Sequence, residues 1–457
     1  MNHAASFRDP SGFLFTREGV LYRQVNQSYA EDYRLLIESG LYAALVKAGL
    51  MVRHEEVTQP PADPTQAMCV LQPERLPFIS YPYEWCFGQL KDAALATLTI
   101  QKKALEKGLS LKDASAYNIQ FRNARPLLID TLSFERYVEG QPWTAYRQFC
   151  QHFLAPLALM AYTDVRLGQL LRLYIDGVPL DLASRLLPWH TRFNFGLMTH
   201  LHLHASAQRR YADRQVQRQS VARRVSKTAL LGLVESLENT VRQLQWKAGG
   251  TEWGDYYDAT NYSQAAFEDK RQTIATWIEA IAPQTCWDLG GNTGVFSRLA
   301  SERNAFTVSF DIDPTAVEQN YRRCRKDKTP RLLPLVMDLT NPSPAQGWDH
   351  AERESLAERG PADLVMALAL VHHLAIANNV PLPRLAQSFA RLGKTLIVEF
   401  VPKSDSQVQR LLASRVDIFP DYTPEGFEAA FAPLFELRQR HAVHDSQRLL
   451  YWFERRT

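Results

Sequence analysis

The sequence predicts an α/β protein, with a mostly parallel sheet covered by helices on both faces and an N-terminal α+β domain before it. Three observations lead there. After residue 270 short apolar runs alternate with helical stretches, which implies parallel strands joined by crossover helices. A glycine-rich turn, Gly290-Gly291-Asn292-Thr293-Gly294, follows the first of those runs and opens a helix. At 457 residues the chain has room for two or three domains.

The elements follow in order. Residues 1 to about 140 mix β-like runs with helical stretches. From Thr144 to Tyr174 apolar residues recur at helical spacing, as in Tyr146, Phe149, Phe153 and Leu157. Phe153 to Tyr162 is too short to span a membrane and contains Pro156, so it reads as a buried helix. Arg209 to Lys227 holds seven basic residues against one acid, Asp213, and leads into a heptad-like Leu230, Leu233, Leu237, Val241, Leu244. Gly249 and Gly250 break that pattern. The expected division is therefore 1–205, a basic helical linker over 206–250, and 251–457.

In the last part the spacing predicts strands at Thr285–Leu289, Phe306–Phe310, Leu332–Met337, Asp363–Leu370 and Thr395–Val401. Helices are expected over Gly294–Ala300, from Pro314 and over Leu382–Arg391. Thr423 is a good N-cap with Pro424 behind it, and Phe435–Val443 and Arg448–Phe453 can close the sheet.

Composition narrows the function. With 46% apolar and 22% charged residues the chain is an ordinary globular one. A net charge of +3 argues against a dedicated nucleic-acid binder. Cys69, Cys86, Cys150, Cys286 and Cys324 are scattered without a C-x-x-C pair, which fits a reducing compartment and no zinc knuckle. No signal peptide or membrane span is visible, so a cytoplasmic protein without a membrane partner is expected. Nucleic acid is not the expected partner, although Arg209–Lys227 has the charge to grip RNA.

The glycine turn carries the sharpest chemistry. Asp288 ends the first strand, Asp311 the second and Asp338 the third. Ligands bind outside the carboxyl ends of such strands, and an acid about 20 residues past the turn suits two ribose hydroxyls. The dinucleotide pattern would need glycine at Asn292 and Val295, and a P-loop would need a Gly-Lys-Ser/Thr ending.

What remains resembles the class I S-adenosylmethionine-dependent methyltransferases, whose sheet is Rossmann-like and whose first motif reads roughly D-x-G-x-G-x-G. Here it is Asp288, Gly290, Asn292 and Gly294, with Asn292 in place of the middle glycine. Asn tolerates left-handed backbone angles better than other non-glycine residues. The resemblance covers roughly 251–457, and some related chains carry nodulation-type names. It implies S-adenosylmethionine as cofactor. Asp288 would lie at its methionine end, Gly290, Gly291 and Gly294 would let the backbone pass, Asp311 would take the ribose, and Asp338 with Leu339 would lie against the adenine. His372 and His373 would face the acceptor as candidate bases, and Glu399 could orient either ligand. Asp417 and Tyr422 are further candidates on a later loop. Tyr257, Asn261 and Tyr262, before the first strand, could form a lid. No metal is expected.

In the N-terminal half, Asp113, Asn118 and Asp130 resemble the D-x-x-x-x-N loop and magnesium-binding Asp of kinase-like and aminoglycoside-type phosphotransferases. Leu111 replaces the usual histidine, Asp130-Thr131-Leu132 replaces D-F-G, only Gly12 and Gly19 are available for a glycine loop, and no lysine precedes Lys47. His200, His202 and His204 would share a face on a strand but splay on a helix, and the surroundings look helical. The expected activity is methyl transfer to an unidentified acceptor that the N-terminal half recognises. The alternatives are a bifunctional enzyme that also uses Mg-ATP, and a non-catalytic cofactor-binding scaffold.

Overall fold

A computed structural model describes residues 2–203, 225–249, 263–413 and 415–456. The chain divides into two compact units, Met1–Lys247 with Gly347–Glu352, and Ala248–Gln346 with Arg353–Thr457.

The first unit opens with an antiparallel sheet in the order β1 (Gly12–Arg17), β2 (Val20–Asn26), β4 (Ala67–Pro73), β3 (His54–Val57). The helix Phe87–Glu106 follows. Then come β5 (Leu109–Leu111), the hairpin β6 (Ile119–Arg122) and β7 (Arg125–Leu128), and β8 (Phe134–Arg136), which returns to pair with β5. Helical segments make up the rest. Among them Ala155–Tyr162 is buried over Ala155 to Met160, as expected for an apolar run with Pro156 in its first turn.

The expected linker is corrected here. Helix Lys227–Gln243 buries Leu230, Val234, Leu237 and Val241 and belongs to the first unit, with Lys102 bonded to Glu238. The periodicity was that of a helix with one apolar face, and that face has a core to cover. The unit therefore extends to Lys247 rather than ending at 205. Most of Arg209–Lys227 lies outside the described residues.

The second unit holds a seven-stranded sheet in the order β11-β10-β9-β12-β13-β15-β14. Its strands are β9 (Thr285–Leu289), β10 (Phe306–Asp311), β11 (Leu332–Val336), β12 (Ala362–Ala367), β13 (Gly393–Phe400), β14 (Phe435–Ala442) and β15 (Leu449–Arg455). β9 to β13 run parallel, and β15 is antiparallel to both neighbours. Chain order reverses at β9, which makes the crevice beside its carboxyl end the switch point. The antiparallel hairpin β14–β15 caps one edge, so the parallel strands stay covered.

Both faces of the sheet are packed. Helices Gln264–Ile281 and Val295–Glu302 lay Ile274, Trp277, Ile278, Phe296 and Leu299 on Leu364, Met366, Ile397 and Leu450. Along β15 the alternation sends Tyr451 and Phe453 to the opposite face, where they meet Phe427 and Phe431. Thr423 caps helix Pro424–Phe431 by accepting the Gly426 N–H.

One expected strand is shorter than Asp363–Leu370. β12 stops at Ala367, and Ala369 takes a left-handed conformation with φ 50°. The chain then turns into a helical stretch that carries His372 and continues as the π-helical turn His373–Ala377. An alanine held at positive φ is strained, and such residues concentrate at functional sites.

Candidate functional site

The turn after β9 is built by its backbone. The N–H groups of Gly290 and Gly291 both donate to the carbonyl of Phe310 on β10, at 2.8 and 2.9 Å. A Cβ on Gly291 would fall 2.4 Å from Ser309 Oγ, so no other residue fits between the two strands. Gly294 stands at φ 77°, and a Cβ there would fall 2.4 Å from Asn320 Nδ2. Asn292 adopts φ 48°, the left-handed angle that its place in the motif demands.

Asp311 holds this turn together. Its Oδ2 accepts the Asn292 N–H at 2.8 Å and its Oδ1 accepts the Asp313 N–H at 2.9 Å. Asp288 accepts from the Ser297 hydroxyl at 2.6 Å. Burial pushes both carboxyls up to about 6. For Asp288 the nearby Asp311 charge adds to this, while the Ser297 bond and Lys270 oppose it. Asp338, at the exit of β11, accepts from the Thr340 N–H and hydroxyl at 2.8 and 2.6 Å.

These residues meet in one cavity of about 260 Å³. Asp288, Gly290, Gly291, Asn292, Asp311, Asp338, Leu339 and His373 all line it, together with the apolar Phe267, Phe296, Ile312, Met337, Leu368 and Leu370. Gly294 and His372 are not on its wall. Gly294 packs instead on Asn320. The His372 ring lies 4.1 Å from the His373 ring, centroid to centroid, and its buried Nδ1 has no hydrogen-bond partner among the described residues. Burial lowers the pKa of both histidines, and the Arg448 charge adds to it, so both imidazoles are neutral at neutral pH.

Glu399 is not on the wall either. Fully buried, it accepts from Lys270 Nζ at 2.6 Å and lies 3.6 Å from Arg448, which also bonds Asp405 at 2.7 Å. The structure places it within a buried ion network, one bond away from the cavity wall through Lys270. Lys270, which the sequence reading left without a role, does line the cavity. Its ammonium sits 4.7 Å over the Phe296 ring. Burial lowers its pKa against the pull of Glu399 and Asp288. Its partner stands 129 positions away, and no local pattern announces such a pair. Asp417 is paired with Lys403, and the Tyr422 hydroxyl donates to the Val401 carbonyl, so both are spent on a loop. The lid candidates Tyr257, Asn261 and Tyr262 lie outside the described residues.

In the N-terminal unit Asp113, Asn118 and Asp130 do come together. Asn118 donates to Ser133 Oγ at 3.3 Å, and that hydroxyl donates to Asp130 at 2.6 Å. Burial raises the Asp113 pKa, with the Asp130 charge contributing. Arg23, from β2, places a guanidinium nitrogen 2.7 Å from Asp130. His200 is satisfied by Tyr146 and Ser236, each at 2.9 Å, and His202 by Ser184 and Thr191 at 2.9 and 3.0 Å. They are core histidines, and His204 lies outside the described residues.

The sheet order, with its antiparallel seventh strand and a glycine turn beside a strand-end aspartate, defines a Rossmann-like α/β domain. No family model matches the chain. It is 37% identical over 458 residues to the nodulation protein NoeA of Rhizobium meliloti strain 1021, covering 99% of this chain and 96% of that one. The chain belongs to the NoeA family. Among solved structures it is similar to magnesium protoporphyrin IX methyltransferase from Synechocystis PCC 6803, with bound SAH (15% identity, 43% of this chain and 90% of that one, TM-score 0.31). It is also similar to the N-methyltransferase NodS from Bradyrhizobium japonicum WM9 (10% identity, 43% and 99%, TM-score 0.31).

Proposed function

We propose that the C-terminal unit binds S-adenosylmethionine in this cavity and transfers its methyl group to an acceptor, which the N-terminal unit recognises. One observation carries the reading: carboxylates at the ends of three adjacent parallel strands line one cavity with an open backbone turn. The residues fit the cofactor. Asp311 keeps free lone pairs on both oxygens for a ribose diol. Ile312, Met337 and Leu339 offer an apolar wall for adenine, and Lys270 with Asp288 offers opposite charges for an amino-acid end. The bound cofactor would supply an electrophilic sulfonium methyl. The chain itself has to align the acceptor, exclude water and take a proton where the acceptor carries one. His373, on the cavity wall and with its pKa lowered by burial, would take it. The relative's name, a nodulation protein, supports a role for the methylated product in nodulation.

Labelled-cofactor transfer in a host lysate, followed by mass spectrometry of the product, tests the reading. Label should enter a discrete product. A cofactor-bound protein that labels nothing across a broad extract would favour the scaffold alternative.

The raised carboxyl groups give a pH test. A folded carboxyl with pKa near 6 binds its proton more tightly than the unfolded one near 3.8. Through that window the folded state therefore holds more protons, and these two groups make stability fall as pH rises, then level off. Cofactor binding should run the other way, because a diol needs the ionised Asp311. Calorimetry should show affinity weakening below pH 6, while the cofactor-free transition temperature gains from these two groups as pH drops. Affinity that stays flat from pH 7 to 5 would remove the ribose role of Asp311.

Mg-ATP phosphotransfer by the N-terminal unit is the second reading, favoured by the meeting of Asp113, Asn118 and Asp130. Against it, Arg23 places a cation on the carboxylate that would have to hold magnesium. Magnesium-dependent ATP turnover that disappears in Asp130→Ala would establish it.

A further inference from the structure

The helical part of the N-terminal unit carries an aromatic cluster that no core absorbs. Trp189, Phe193 and Phe195 are 72%, 79% and 80% exposed. Isolated apolar residues on a surface are ordinary, but three large aromatic rings within seven positions mark an interaction site. Trp189 and Phe193 stand at the two ends of the 3-10 turn Trp189–Phe193, with ring centroids 5.4 Å apart and edge to face. Their base is fixed. Thr191, buried between them, donates to the Pro188 carbonyl at 2.6 Å and lies 3.0 Å from His202 Nε2. Asn194 caps the next turn by accepting the Leu197 N–H. Gly196 packs so closely on Thr240 that a Cβ would fall 2.0 Å from its Oγ1. The rings are thus held outward by a rigid platform rather than left loose.

An unpaired cation stands beside them. Arg192 and His190 are exposed on the same turn, and Arg192 makes no ion pair among the described residues. Aromatic rings beside an unpaired guanidinium suit an anionic lipid surface, where the rings enter the headgroup region and the cation meets the phosphates.

We propose that the Trp189–Phe195 turn docks the protein on the surface of an anionic bilayer. The attachment is peripheral, since no helix among the described residues is long and apolar enough to cross a membrane. It departs from the membrane-free expectation drawn from the sequence, where the exposure of these rings could not be read. It is independent of the methyl-transfer reading.

Co-sedimentation of the full chain with phosphatidylcholine vesicles, and with vesicles in which about a third of the lipid is phosphatidylglycerol, tests it. Binding is expected to the anionic vesicles only. The triple variant Trp189→Ser, Phe193→Ser, Phe195→Ser should lose about tenfold or more in affinity, and should melt as wild type because the rings bury little. Arg192→Glu alone should also weaken binding, and so covers the case in which the triple variant misfolds. No binding to anionic vesicles, or equal binding by wild type and both variants, would overturn the proposal. So would a concentration-dependent dimer that the triple variant abolishes without any vesicle binding, since the cluster would then cover a second copy.

Discussion

Asp311→Ala is expected to raise the dissociation constant for S-adenosylmethionine about a hundredfold, with the melting of the cofactor-free C-terminal unit within a few degrees of wild type. The affinity loss follows from bond type. Two hydroxyls donating to one carboxylate make charge-assisted bonds, and losing both costs about 3 kcal/mol once the water they return to is counted. The small change in stability follows from burial. Asp311 gives the fold two bonds to backbone N–H groups, but its charge is desolvated, as its raised pKa records. Removing it loses the first and relieves the second. Asp311→Asn is a less neutral control than its shape suggests. One amide oxygen can still accept from Asn292 or Asp313, but the NH₂ must then face the other donor. Calorimetry on Asp311→Ala with unchanged affinity would remove the ribose assignment and leave the fold intact.

The glycine turn was legible because each of its residues is dictated locally. Gly291 has no space for a side chain, and Asn292 sits at a left-handed angle that Asn tolerates. The strand-end aspartates were legible for the same reason, since each follows an apolar run. The His pair was legible as chemistry but not as structure. An apolar run that continues past Ala367 reads as more strand, and only the left-handed Ala369 breaks it, where no glycine marks the break. The extent of the N-terminal unit was hidden in another way. The leucines of Lys227–Gln243 announce one apolar face, but not that Phe87–Glu106 lies against it. Charge partners were hidden most completely. Arg23 with Asp130, and Lys270 with Glu399, join residues more than a hundred positions apart.

That last pair yields the largest expected loss of stability. Glu399 is fully buried between Lys270 and Arg448. Breaking a buried pair by removing one partner costs about 3–5 kcal/mol, because the remaining charge keeps its desolvation and loses its compensation. Glu399→Gln should fall in that range, since it removes the carboxylate that both Lys270 and Arg448 face. Lys270→Met should cost less. Glu399 then keeps Arg448, and the methionine chain can fill most of the space over Phe296. The cofactor reverses the ranking for function. Lys270 lines the cavity and Glu399 does not, so Lys270→Met should lower affinity more than its stability loss explains. Scanning calorimetry separates the two effects, because the transition that rises with added S-adenosylmethionine belongs to the C-terminal unit. Equal transition temperatures for wild type and Glu399→Gln would mean that water reaches the pair, and that the network is not a buried one.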